Sequence, residues 1–253
     1  MDPYVAEFIG TMILVLIGDG VCANANLTRA KGNTTSSWLQ ITLGWAVAVY
    51  VAVICTNGHG AHLNPAVSIG FAMAGKFEWA SVGPYIISQL AGAFVGAVLV
   101  FFFYVQHFPH TVDQDAKLGS FCTIPAIRGL GHNLFSEALG TFVLVFAGLV
   151  SVKATVSMSG TEHAVGLGDL GALPVALVVF AIGIGLGGTT GYAINPARDL
   201  GPRLAHAVLP IPNKRDSDWS YSWVPVLGPI LGGGGAALLY IATAGTNVVT
   251  IVP

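Results

Sequence analysis

The chain has 253 residues, 54% of them hydrophobic and only 9% charged, where ordinary soluble domains carry roughly 25% charged residues. Such a chain cannot cover itself with polar surface in water, and a formal net charge of −2 leaves no basic footprint for nucleic acid. The three cysteines, Cys22, Cys55 and Cys122, lack metal-ligand spacing, and there is no His/Glu/Asp metal set or Gly-x-Ser-x-Gly elbow, so no metal, cofactor or catalysis is expected.

In chain order, six apolar stretches approach the roughly 20 residues that a bilayer-spanning helix needs: 4–23, 38–56, 82–108, 134–152, 172–187 and 223–244. The first lacks a basic leader region and carries Glu7 and Asp19, so it is expected to be a mature span and not a cleaved signal. A multi-pass integral membrane protein of the cytoplasmic or plasma membrane is predicted. The connections fall at 24–37, 107–133, 155–171 and 206–222. Of these, 107–133 is long enough to fold over a pore mouth, and 24–37 holds two Asn-x-Thr sequons at Asn26 and Asn33.

Two breaks between these stretches contain the same tripeptide, Asn64-Pro65-Ala66 and Asn195-Pro196-Ala197. The segment Glu7-Phe8-Ile9-Gly10-Thr11 returns as Glu137-Ala138-Leu139-Gly140-Thr141 at nearly the same offset. An internal repeat of this length in an apolar chain is the pattern of a membrane transport fold built from two halves. One membrane domain over 1–253 is expected, with halves at about 1–108 and 134–253. Pro is favoured at the first position of a helix, so Pro65 and Pro196 read as helix starts capped by Asn64 and Asn195. The apolar pieces that follow are too short to span. Three spans per half invert the second half, so the two short helices meet near the midplane with their positive ends facing. Irregular backbone survives at that depth only when buried in protein or lining an aqueous cavity.

The stretches Gly-Ala-His-Leu-Asn-Pro-Ala-Val (60–67) and Asn-Pro-Ala-Arg-Asp-Leu-Gly-Pro-Arg (195–203) resemble the two pore loops of the major intrinsic proteins, the second in the form of the aquaglyceroporin, or glycerol-facilitator, branch. The resemblance covers essentially the whole chain. It implies an all-α membrane protein of six spans and two re-entrant half-helices, assembled as a homotetramer with one pore per subunit. It implies passive conduction of glycerol, urea and similar small uncharged solutes, with some water.

By motif position, the resemblance assigns the constriction to Arg198, to Tyr192 three residues before Asn195, to Gly183 twelve before it, and to Trp45 by its Gly-Trp context. The stretch from Trp45 to Asn64 is one residue shorter than the pattern. Either the deletion lies near Asn57-Gly58 and Trp45 faces the pore, which is favoured, or Gly44 takes its place. An unpaired Arg in a membrane interior is expensive and a functional hypothesis by default. Asp199 marks the glycerol branch, as a brace for loop backbone, a partner for Arg203, or both. Water-selective members are disfavoured by Asp199, Gly183 and Pro225.

The resemblance further assigns lumenal backbone carbonyls to Gly60, Ala61 and His62 and to Gly191, Tyr192 and Ala193, while the side-chain amides of Asn64 and Asn195 donate into the lumen. His62 reads equally as a buried anchor for its loop. Glu7 and Glu137 are expected to accept hydrogen bonds from loop amides. The intramembrane carboxylates Glu7, Asp19 and Glu137 are not expected to cluster with the pore motifs, which argues against an ion-coupled inverted-repeat transporter. Gly92-x-x-x-Gly96 and Gly228-x-x-x-Gly232 suit close helix crossing. Family topology leaves Arg29, Lys31, Lys117, Arg128, Lys214 and Arg215 outside, with Lys76 and Lys153 in the cytoplasm, against the positive-inside tendency.

Overall fold

The computed structural model describes all residues except 35–36, 57–59, 153–154, 159–160 and 245–253. Within the described residues run α1 (Pro3–Asn26), α2 (Trp38–Cys55), α3 (Pro65–Met73), α4 (Trp79–Phe103), α5 (Gln114–Leu118), α6 (Leu130–Val150), α7 (Leu173–Leu186), α8 (Pro196–Val208) and α9 (Val224–Ala244). Among the described residues, six helices are long and apolar enough to cross a membrane. The chain is a multi-pass integral membrane protein. The fifth span reaches 22 residues only because 3-10 turns extend α7 at both ends, to Gly168–Thr189. The membrane part is all-helical. Outside it, Thr155–Met158 and Thr161–Ala164 pair as an antiparallel hairpin in the connection between α6 and α7, where no regular element was expected.

The third span begins three residues earlier than its apolar run and stops at Phe103 instead of continuing to 108. Tyr104–His110 turns instead, and Pro109 within it has no N–H for a further helical bond. Asp2 caps α1 by accepting from the amides of Tyr4 and Val5. Two pairs of long helices, α1 with α4 and α6 with α9, make the most extensive contacts. A Cβ on Gly92 would lie 2.2 Å from the Phe8 carbonyl oxygen, and one on Gly232 2.0 Å from that of Ala138. Glycine is required at both crossings, which lie within the protomer. Half-helix α3 packs on α9 and α8 on α4, while α2 against α7 joins the halves on the other side. Leu39, Ile87, Phe103, Phe135 and Leu238 project outward, as a lipid-facing belt requires.

Many of the cations on the 107–133 and 206–222 connections are bound within the protein. Lys117 and Lys214 donate to carbonyls of the 206–213 segment, Arg128 pairs with Asp218, and Arg215 with Asp115. Burial lowers both lysines below the ordinary lysine range. These charges tie the loops together.

Candidate pore and constriction

Each half-helix begins at an Asn whose backbone is extended and whose side chain caps it. Asn64 Oδ1 accepts from Ala66 N at 2.9 Å, and Asn195 Oδ1 from Ala197 N at 3.0 Å and Arg198 N at 3.2 Å. The residue before each Asn is left-handed, Leu63 with φ 53° and Ile194 with φ 43°. A β-branched residue is an outlier there, at a cost of about 1–3 kcal/mol. What over-determines the geometry is a buried carboxylate behind each loop. Glu7 accepts from His62 N and Leu63 N, both at 2.7 Å, and Glu137 from Ala193 N at 3.0 Å and Ile194 N at 2.7 Å. Bonds to an ionised acceptor are about twice as strong as neutral ones. Gln89 adds a third bond to Glu7 and reaches Ser68, which also contacts His62. His62 is therefore built into its loop, packed against Phe71, Phe77 and Tyr85.

The two loops brace each other. Asn64 Nδ2 donates to the Ile194 carbonyl at 2.8 Å, and Asn195 Nδ2 to the Leu63 carbonyl at 2.7 Å. The sequence reading left both amides wholly free for the lumen; instead each commits one hydrogen across the joint and keeps one. Both asparagines line a cavity of about 280 Å³, with Leu14, Val49, Val53, Val67, Leu144, Val175 and Val179 as apolar walls. Ala61, His62, Tyr192 and Ala193 also line it, and their carbonyls accept no hydrogen bond from the described residues. Gly60 and Gly191 do not line it. The Gly60 carbonyl is taken by His62 N, and both glycines serve the turn, with φ 73° and 81°.

Trp45, Tyr192 and Arg198 also line the cavity. The Arg198 guanidinium lies over the Trp45 ring, 4.0 Å from its centroid. Gly44 instead packs on Val21, so of the two alternatives the structure puts Trp45 at the cavity. The proposed deletion near Asn57-Gly58 and His59 lie outside the described residues. Gly183 does not line the cavity. A Cβ there would sit 2.8 Å from Tyr192 Cζ, and one on Gly187 would sit 2.4 Å from Tyr192 Cδ1. Gly183 on α7 and Gly187 in the 3-10 turn that follows it thus seat the Tyr192 ring, which also meets Trp38 edge-on.

Two expectations about charge are corrected here. Arg198 is not unpaired: its Nη1 lies 3.4 Å from Asp19 Oδ1 and donates to the Phe121 carbonyl at 3.2 Å. The intramembrane carboxylates do cluster with the motifs, since Glu7 and Glu137 bind the loops and Asp19 faces Arg198. Asp199, fully buried, accepts from Thr123 N at 2.8 Å, Thr123 Oγ1 at 2.6 Å and Arg203 Nε at 2.8 Å. Arg203 in turn donates to the carbonyls of Thr123 and Ser217. The 107–133 connection thereby reaches the constriction through Phe121 and Thr123. Cys22 is buried in α1 and accepts from Trp45 Nε1 at 3.3 Å. Sequence reasoning missed Thr123, Gln89 and Gly187. For Asp19 a signal existed, a carboxylate in an apolar span with no partner on its own helix.

A family model described as major intrinsic protein matches residues 1–240. The chain belongs to the major intrinsic protein family. This major intrinsic protein is 53% identical over 95% of its length to the probable glycerol uptake facilitator protein of Thermotoga maritima, covering 98% of that relative. It is 50% identical over 92% of its length to glycerol uptake facilitator protein 3 of Lactiplantibacillus plantarum, covering 93% of it. Among solved structures, that of the aquaglyceroporin from Plasmodium falciparum superposes with a TM-score of 0.79 at 32% identity, covering 94% of this chain and 93% of that one. An aquaporin-like fold of six spans and two re-entrant half-helices follows for this major intrinsic protein.

Proposed function

We propose that the chain is a passive channel for glycerol and similar small uncharged solutes, urea among them, with some passage of water. The observation that carries the reading is the grouping of Trp45, Tyr192 and Arg198 on a cavity whose other walls are apolar apart from His62, Asn64, Asn195 and the loop carbonyls. Two rings meeting one guanidinium suit a polyol: the rings take its CH edge, and the guanidinium donates to its hydroxyls. Past the slot, the carbonyls of the two loops and the remaining amide hydrogens of Asn64 and Asn195 offer acceptors and donors in sequence, replacing hydration one bond at a time. Facing half-helix ends and Arg198 place positive potential across the path, which opposes cations and protons. Relatives that bear the name glycerol uptake facilitator support the same solute.

A water-selective pore is disfavoured because Gly183 leaves room for Tyr192 to recede, widening the slot. The protomer carries a complete cavity of its own, and a homotetramer with one pore per subunit is the assembly in which it would work. Both termini are assigned to the cytoplasm.

Stopped-flow light scattering on proteoliposomes tests the reading. Glycerol should equilibrate rapidly, without saturation at moderate gradients and with no response to an imposed proton gradient. Accumulation of glycerol against its gradient would overturn it.

A further inference from the structure

Four fully or almost fully buried carboxylates stand around the pore, and three of them have a scaffolding task. Glu7 and Glu137 each bind two loop amides, and Asp199 binds Thr123 and Arg203. Asp19 does none of this. It is 0% exposed on α1, its Oδ1 faces Arg198 Nη1 at 3.4 Å, and its Oδ2 accepts no hydrogen bond from the described residues. It binds no backbone N–H, and no cation other than Arg198 pairs with it among the described residues. Burying a carboxylate away from water is expensive unless a charge partner compensates it. A guanidinium keeps its proton under all ordinary conditions, so the charge to be balanced is permanent.

With Asp199 and Arg203 paired to each other, the buried cluster holds two carboxylates and two guanidiniums, and its formal charges cancel. The same helix frames the rest of the slot. Gly18 leaves space that the Trp45 ring fills, a Cβ there lying 2.3 Å from Cζ3, and Cys22 takes the Trp45 N–H.

We propose that Asp19 is a specificity-determining residue that neutralises the constriction from behind, so that Arg198 donates to uncharged hydroxyls without holding small anions. The assignment rests on the channel reading above. Arg198 and two facing half-helix N-termini would, without compensation, form an anion trap. A three-carbon hydroxycarboxylate has nearly the size of glycerol and would lodge there and block. Asp19 is placed to prevent that by repelling the carboxylate while leaving the guanidinium N–H groups on the lumenal side in place.

The test is calorimetric titration of the purified, detergent-solubilised protein with sodium glycerate at fixed ionic strength. Asp19→Asn should bind glycerate at least about tenfold more tightly than the wild type, because a neighbouring like charge has been removed. Asp19→Glu should restore the weak wild-type binding, and the neutral double variant Asp19→Val/Arg198→Val should not bind. In proteoliposomes, glycerate should inhibit glycerol flux through Asp19→Asn and leave the wild type unaffected. Equal glycerate affinity in wild type and Asp19→Asn overturns the proposal. If Asp19→Asn fails to fold but the double variant folds, the carboxylate is needed only against the Arg198 charge, which supports it. If both fail, Asp19 is a structural support and the proposal falls. Absence of glycerol flux in the wild type would refute the channel reading instead, and the calorimetry would still decide the role of Asp19.

Discussion

The two half-pores are alike in backbone and unlike in charge. Each has a buried glutamate bound to the two amides before its Asn, a left-handed residue just before that Asn, and a side-chain amide reaching across to the other loop. Beyond the Asn-Pro-Ala they part. Half-helix α3 runs Pro-Ala-Val-Ser-Ile-Gly-Phe-Ala-Met with no charged residue, whereas α8 carries Arg198, Asp199 and Arg203. Val67 stands in the first half where Arg198 stands in the second. The repeat supplies a symmetric path, and discrimination is built into one half of it. A single filter suffices for a passive pore, and a second buried guanidinium would need a second set of counter-ions.

The shared part should be the most fragile. Glu137→Ala orphans the Ala193 and Ile194 N–H groups, and Glu7→Ala that of Leu63, since His62 N also donates to the Gly60 carbonyl; at about 1–3 kcal/mol per group, both variants should lose thermal stability. A melting shift for one and none for the other would break the symmetry argued here.

Arg198→Val makes the second half resemble the first at this position. It removes the formal charge from the path and leaves Asp19 without its counter-ion, so cations and protons should enter. Proton leak in dye-loaded proteoliposomes should rise by at least about tenfold, equivalent to about 1.4 kcal/mol of barrier. An unchanged leak would mean that the half-helix ends alone exclude protons and that the charge asymmetry has another purpose.

Gly183→His sharpens the comparison at the constriction itself. A Cβ at Gly183 displaces the Tyr192 ring toward the lumen, and overpacking of this kind costs about 1–3 kcal/mol. Glycerol permeability should fall much more than water permeability. A proportionate fall in both would show that the slot does not set solute size.

The smallest effect is expected of mercury chloride on the wild type. Cys22 and Cys122 are buried, and Cys55 is exposed away from the cavity lining, so glycerol flux should be unaffected. Tyr192→Cys should make it sensitive. Inhibition of the wild type that Cys55→Ser abolishes would place Cys55 in the path.

By itself the sequence determined the spans, the repeat, the half-helix starts at Pro65 and Pro196 and the motif positions of Tyr192 and Arg198. The spans and helix starts follow from local quantities, apolar run length and the lack of an N–H on proline, while Tyr192 and Arg198 were carried over by motif position from the family resemblance. What only the tertiary structure decided was which partners meet across the fold. Trp45 and not Gly44 faces the cavity because α2 is rotated so that Gly44 packs on Val21. Gly183 acts through Tyr192 because α7 passes behind that ring. Asp19 reaches Arg198 across 179 residues of chain, and Thr123 reaches Asp199 across 76. No periodicity or motif encodes such pairings, since a buried charge is balanced by whatever the packing brings within a few ångströms, and that distance is set by helix crossings, here ones that glycines such as Gly92 and Gly232 allow to be close.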